Sequence, residues 1–291
     1  MTFKRVKVPY PMPPAVDENV REELMAWALT KKLPRLQQQP IGDETMTIVG
    51  YGPSLADTWQ KVKPPLIATS RALKFLIERG MEPSEGWFYA MADPRPNNLE
   101  FITPPVKGVT YLMASVCYPK VWSRLAGEKV IMWHAMSGEH TPEWVRLNDP
   151  DTLLMGAGST IGLCAIHLGG CLGFRHFEIH GFDGCFRDGK RHAGEHSGHD
   201  QEPIPSVLDT NYTTSRIMDN ANTELINTLK QFPIFCVFHG DGLMQSWVRK
   251  ARLHNAAVDG TPEANVVRGS RFIPISDERA RELEAAGVPV I

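Results

Sequence analysis

The stretch from Thr45 to Leu55, TMTIVGYGPSL, constrains this chain more than any other. An apolar run through Met46, Ile48 and Val49 stops at a turn carrying Gly50, Gly52 and Pro53. Ser54 stands where a helix starting near Leu55 takes its N-cap. A buried strand, a glycine turn and a capped helix form the first βα unit of a nucleotide-binding sheet, and N–H groups at such a helix start can receive a phosphate. Glycine at 50 and 52 lets a phosphate approach the backbone, where a side chain would hold it off. The third glycine of a dinucleotide fingerprint is missing, and no Gly-Lys-Ser/Thr follows, so the turn is neither that fingerprint nor a Walker A loop.

From residue 45 onward, short apolar runs alternate with amphipathic ones, which is the pattern of an α/β sheet. PPLIATS (64–70) predicts a second strand ending at Ser70, and RALKFLIER (71–79) a helix with Leu73, Leu76 and Ile77 inward, closed by Gly80. WFYAMA (87–92) predicts a strand running into Asp93-Pro94-Arg95. Val109 to Val116 and Lys129 to His134 read as two more strands with a helix from Pro119 to Leu125 between them, and 135–152 reads as a polar loop. Leu153 to Asp183 repeats the first signal: a Gly156-Ala157-Gly158-Ser159 turn, a helix from Thr160 to Leu172 rich in small residues, and a strand His176 to His180 ending in Gly181-Phe182-Asp183. A glycine-rich helix start and an aspartate at a strand's C-terminal end both belong at the ligand edge of a parallel sheet. Asn211 to Gln231 predicts a long helix, and Pro233 to His239 a strand ending in Gly240-Asp241-Gly242. A Trp-bearing helix and a final strand–helix pair (RFIPIS, DERARELEAAG) follow.

The expected organisation is therefore an N-terminal arm (1–44) with a short helix, an α/β domain with a mostly parallel sheet (45–244), and a C-terminal extension packed on it (245–291). In the arm, Asp17 to Lys32 reads as a helix with Leu24, Trp27 and Ala28 as its apolar face; it could pack on the domain or on a second copy of the chain in a homo-oligomer. A net charge of −2 argues against a general nucleic-acid or membrane-surface binder. No run reads as a membrane span or as a signal peptide. Five scattered cysteines, mostly inside apolar runs, read as reduced, buried thiols and point to a cytoplasmic protein.

The chemistry-bearing residues cluster at strand ends and in the long polar loop 184–210. His192, His196 and His199 lack the spacing of a helical zinc motif, so His192 and His196 read as general-base or phosphate-contacting candidates. Asp93 and Asp183 each follow a strand and could meet in one crevice as a carboxylate pair for Mg²⁺ carrying a nucleotide phosphate. His134, His167, His176 and His180 read as packed residues, and no G-x-S-x-G elbow supports a Ser/His/Asp nucleophile.

Taken together, VGYGPSL, ALKFLIERGMEP, a strand ending in MADP, GAGSTIGLCAIHLGGCLGFRHFEIHGFD and DGKRHAG resemble the MptE-like 6-hydroxymethylpterin diphosphokinase family. Its phage-encoded members share a similar D-G-x-x-H-A loop. The same layout is similar to the motility-associated flagellin glycosyltransferases and, more distantly, to a bacterial sialyltransferase family. The likeness spans roughly 45–240. It implies a Rossmann-like fold with a nucleotide at the C-terminal edge of the strands. Gly50, Gly52, Pro53 and Ser54, with Ser70, would line the phosphate or ribose, and Gly158, Ser159 and Thr160 the opposing lip. Asp93 and Asp183 would take the carboxylate positions, and the 188–196 loop would close the site. The implied reactions are Mg²⁺-assisted diphosphate transfer from ATP to a small hydroxylated acceptor, or glycosyl transfer from a CMP-sugar. A third reading is a non-catalytic phage morphogenesis or accessory protein that retains the fold.

Overall fold

A computed structural model describes residues 15–136, 139–156, 158–194, 202–206, 208–231, 234–250 and 266–268. His196 and the expected strand–helix pair at 271–287 lie outside the described residues. The chain opens with helix α1 (Glu18–Leu29) and then alternates: β1 (Thr45–Val49), α2 (Leu55–Thr58), β2 (Leu66–Thr69), α3 (Ala72–Glu78), β3 (Trp87–Met91) and β4 (Thr110–Ala114). It continues through α4 (Pro119–Arg124), β5 (Lys129–Met136), α5 (Thr141–Asn148), β6 (Leu154–Gly156), α6 (Ile161–Cys171) and β7 (His176–His180). A short antiparallel ribbon of β8 (Ile204–Pro205) and β9 (Thr213–Thr214) precedes α7 (Arg216–Gln231), β10 (Phe235–Phe238), helix α8 (243–250) and β11 (Val266–Arg268).

Among the described residues, one nine-stranded sheet runs in the order β11-β10-β7-β1-β2-β3-β4-β5-β6. All its pairings are parallel except β10 with β11, giving the expected Rossmann-like α/β architecture. The burial of β1, β2 and β4 on both faces follows from their unbroken apolar character, since parallel strands are covered by helices on either side. From β1 the chain steps outward strand by strand to β6. It then crosses back under β1, β2 and β3 as α6, and adds β7 on the other flank of β1. That crossing needs a helix that can lie close to the sheet. A Cβ on Gly169 would stand 2.6 Å from the Phe177 ring and 3.2 Å from the Met46 sulfur, so the small residues of α6 set its approach.

Two readings of the sequence differ from the structure, and one that was open is answered. The polar stretch 135–152 contains α5, whose start Thr141-Pro142-Glu143 is a helix signal, with Val145 its buried apolar residue. In α1 the buried side is Arg21, Met25 and Ala28, which carries the apolar face onto a different stripe from the one Leu24 suggests. The segment after α1 is built into the sheet's far flank: Leu36 N–H donates to the Met132 carbonyl (2.8 Å), and Met132 N–H to the Pro34 carbonyl (2.8 Å).

Arg35 there meets a buried chain of side chains. Ser115 Oγ and His134 Nδ1 lie 2.7 Å apart, His134 Nε2 lies 3.0 Å from Asp149 Oδ2, and that carboxylate also accepts from Arg35 and Thr152. Ser115 and His134 are fully buried, so this serine–histidine–aspartate chain pins β4, β5 and the arm together and offers no nucleophile to a substrate. All five cysteines are free, and no helix among the described residues is long and apolar enough to cross a membrane.

Candidate functional site

In a doubly wound sheet, the strand order reverses at one place, and the loops leaving the two strands there diverge to open a crevice. Here the reversal falls between β1 and β7. The turns that follow these strands are Gly50–Ser54 and Gly181–Asp183. The sheet therefore brings the two strongest glycine signals of the sequence to its switch point.

These turns are bonded to each other. Gly50 N–H donates to the His180 carbonyl (2.8 Å), Gly52 N–H to the Gly181 carbonyl (2.9 Å), and Ser54 N–H to Asp183 Oδ2 (2.9 Å). The glycines are needed for this seam: a Cβ on Gly50 would stand 2.7 Å from the Gly181 carbonyl, and one on Gly52 would stand 2.6 Å from the same oxygen. This corrects the expectation that these amides wait for a phosphate. They are spent inside the protein, and α2 is only four residues long.

Asp183 is the hub. Besides Ser54 it faces Gln245 Nε2 at 3.5 Å, and its carbonyl accepts from Met244 N–H at 3.2 Å, which draws in the start of α8. A Cβ on Gly242 would stand 2.6 Å from Asp183 Cβ, so the third strand-end turn, Gly240-Asp241-Gly242, also closes on it. Burial pushes the Asp183 carboxyl above the usual carboxylate range, although hydrogen bonding from Ser54 opposes the shift. Asp183 thus fastens three loops at the crevice floor.

Asp93 lies elsewhere. It follows β3, separated from β7 by β1 and β2, so three strand spacings, about 14 Å, lie between the two strand ends. Its carboxylate is held by Arg95 through two bonds from Nε (2.9 and 3.1 Å) and one from the guanidinium NH2. Burial alone would raise Asp93, but the Arg95 bonds outweigh it and hold the carboxyl low. The structure does not bring Asp93 and Asp183 together, and the fit of one Mg²⁺ to this pair fails on that distance and on the partners each already has.

Gly158, Ser159 and Thr160, expected as a lip, lead into α6, whose first turn packs at the switch point through Gly162. The Phe182 ring lies against Gly50 on one side and Gly162 on the other, at 2.9 and 2.8 Å from where their Cβ atoms would be. The first turn of α6 is thereby joined to the first glycine turn. Gly158 has φ +61°, open to glycine and strained for other residues. Ser159 N–H is capped by Glu224 Oε2 of α7 at 2.7 Å, and the buried Ser159 Oγ has no hydrogen-bond partner among the described residues. Ser70, at the end of β2, holds a left-handed φ of +53° beside the same edge.

The loop after Asp183 folds back over the first turn. Ala193 N–H donates to the Tyr51 carbonyl (3.0 Å), and the His192 ring stacks on Tyr51, with centroids 5.5 Å apart and planes 19° apart. Arg191 Nε donates to His192 Nε2 at 2.9 Å. Arg187 anchors the loop's base by ion pairs to Asp57 and to Asp241, the latter at 3.6 Å. Sequence reasoning missed Tyr51, Phe182 and Glu224. Tyr51 and Phe182 were legible as the aromatic residues inside the two glycine turns, whereas Glu224 on α7 carries no local signal.

The family model described as 6-hydroxymethylpterin diphosphokinase MptE-like matches residues 18–189. The match begins inside the arm, at α1, and stops in the loop that covers Tyr51. No curated protein matches the chain. Among solved structures, the chain is similar in fold to the MAf glycosyltransferase from Magnetospirillum magneticum AMB-1, with a TM-score of 0.60 and 16% identity. That likeness covers 94% of this chain but 47% of the other, so the chain spans about half the length of that protein.

Proposed function

The chain belongs to the MptE-like family, and from that premise we propose that it is a nucleotide-dependent transferase whose donor lies across the β1/β7 crevice. The observation that carries the reading is the convergence of the Gly50–Ser54 turn, the Gly181–Asp183 turn and the first turn of α6 at one switch point. The family's description favours diphosphate transfer from ATP to a small hydroxylated acceptor. Ser159 Oγ, at the start of an 11-residue helix, is the donor best placed to meet a phosphate, since helix N-termini favour anions. The Glu224 carboxylate on Ser159 N–H holds the place of such an anion and would yield to it. Mg²⁺ arriving with ATP would be carried by the nucleotide's own phosphates.

A second reading, transfer from a CMP-sugar without metal, is favoured by the wide separation of Asp93 from Asp183 and by the glycosyltransferase named for the structural neighbour. A thermal-shift panel of ATP, GTP, CTP, CMP and CMP-sialic acid, each with and without Mg²⁺, separates the readings. A ligand at a hundredfold excess over its Kd should stabilise the fold by about 2.7 kcal/mol. A Mg²⁺-dependent shift with a triphosphate supports diphosphate transfer, and a metal-independent shift with CMP supports sugar transfer. No shift with any nucleotide would overturn both and leave a non-catalytic member of the family.

A further inference from the structure

On the flank of the sheet away from α6, residues Glu178 and His180 of β7 project on the same face, as residues two apart in a strand do. His239 lies at the end of β10, beside His180 in the parallel register that pairs Phe238 with Ile179. One ligating atom from each of Glu178, His180 and His239 lies within 4.8 Å of the other two. The two imidazole rings stack, with centroids 4.1 Å apart and planes 5° apart, and His239 Nε2 stands 3.6 Å from Glu178 Oε2. His180 is fully buried, yet neither of its ring nitrogens has a hydrogen-bond partner among the described residues. A buried imidazole with two idle nitrogens is costly, because each polar atom has given up water without replacement.

We propose that Glu178, His180 and His239 form a binding site for one divalent transition-metal ion of the zinc type, clamping β7 to β10 beneath the candidate crevice. Two imidazoles and a carboxylate suit Zn²⁺, whereas Mg²⁺ and Ca²⁺ prefer all-oxygen sets. Three protein ligands leave a fourth position for water. Bonds of about 2.0–2.1 Å bring tetrahedral ligands to roughly 3.4 Å from one another, so the cluster must contract and the stacked rings must tilt. His239 and Glu178 have the freedom to do so, with side chains 20% and 39% exposed, while His180 is the fixed member. The Lys61 ammonium faces both imidazoles and opposes a cation, which sets the affinity below that of an unopposed site. The site sits one residue before Gly181 and Gly240, so binding there would stiffen the two turns that close on Asp183.

The test uses the full chain stripped with chelator, then titrated with Zn²⁺ by calorimetry and with Co²⁺ by absorption. The expected result is one equivalent bound, a rise in melting temperature, and Co²⁺ d–d bands in the visible without thiolate charge-transfer bands. His239→Ala and Glu178→Gln, both at partly exposed positions, should each weaken binding at least tenfold, and Lys61→Gln should tighten it. The triple change His192→Ala/His196→Ala/His199→Ala should leave it unaltered. Absence of saturable binding to the unmodified chain, thiolate bands, or loss of the ion with the loop histidines in place of His239 and Glu178 would overturn the proposal.

Discussion

Replacing Asp183 by Ala and by Asn separates a fastening role from a purely chemical one. In Asp183→Ala the buried Ser54 N–H loses its acceptor at 2.9 Å, which costs about 1–3 kcal/mol. The vacated space between the Gly52 and Gly242 turns adds a cavity cost, for a total of about 2–4 kcal/mol. In a domain of this size that is a fall in Tm of about 5–15 °C. Asp183→Asn keeps an acceptor for Ser54. It also keeps the side chain's volume between the Gly52 and Gly242 turns, so the variant should be clearly more stable than Asp183→Ala.

The pH dependence follows from the same burial. The folded-state pKa of Asp183 lies above its unfolded value, so the folded chain holds the proton more tightly. Relative to Asp183→Asn, the unmodified chain should be most stable in acid. It should lose that advantage as pH rises from the unfolded pKa, near 3.9, through the raised folded pKa, and be flat above it. Urea unfolding of the three chains between pH 4 and 8 provides the comparison. An Ala variant as stable as the unmodified chain, or an Asn variant as unstable as the Ala variant, would rule out a fastening role for Asp183.

Three further outcomes are expected. Gly52→Ala should destabilise by about 1–3 kcal/mol in denaturant melts, because the added Cβ meets the backbone carbonyl of Gly181, which cannot swing away as a side chain would. His192→Phe should preserve the loop's protection from limited proteolysis while His192→Ala loses it, since the Tyr51 stack, worth about 0.5–1.5 kcal/mol, survives in the first alone. The buried His134, whose pKa burial lowers against the pull of Asp149, should make the fold acid-sensitive. Its contribution is present above its unfolded value near 6.5 and is lost as pH falls below that toward the folded pKa, a component that His134→Gln should remove from the unfolding profile.

The sheet was legible because each parallel strand is a short apolar run closed by a polar or glycine turn, and Thr45–Val49 and His176–His180 are clear cases. The crevice was legible for the same reason: Gly50, Gly52 and Gly181 mark where two backbones touch. What each glycine does there was not legible, since spacing alone does not tell an amide kept for phosphate from one bonded to a neighbouring strand's turn. The pairing of Asp93 with Asp183 failed because both follow strands, but strand order, which the sequence does not print, sets them three strands apart. The His134 chain and the Glu178–His180–His239 cluster stayed hidden because their members meet only across the sheet, from positions as distant as Arg35 and Asp149.

Hydrogen–deuterium exchange with and without the nucleotide that gives the largest thermal shift reports whether the donor lies across the β1/β7 crevice, as proposed. A donor in the crevice should add protection concentrated at 50–54, 158–162 and 181–194, lost in Ser159→Ala at the same nucleotide concentration. Protection confined to other strand ends, such as 93–98 after β3, with none at these three segments, would contradict it.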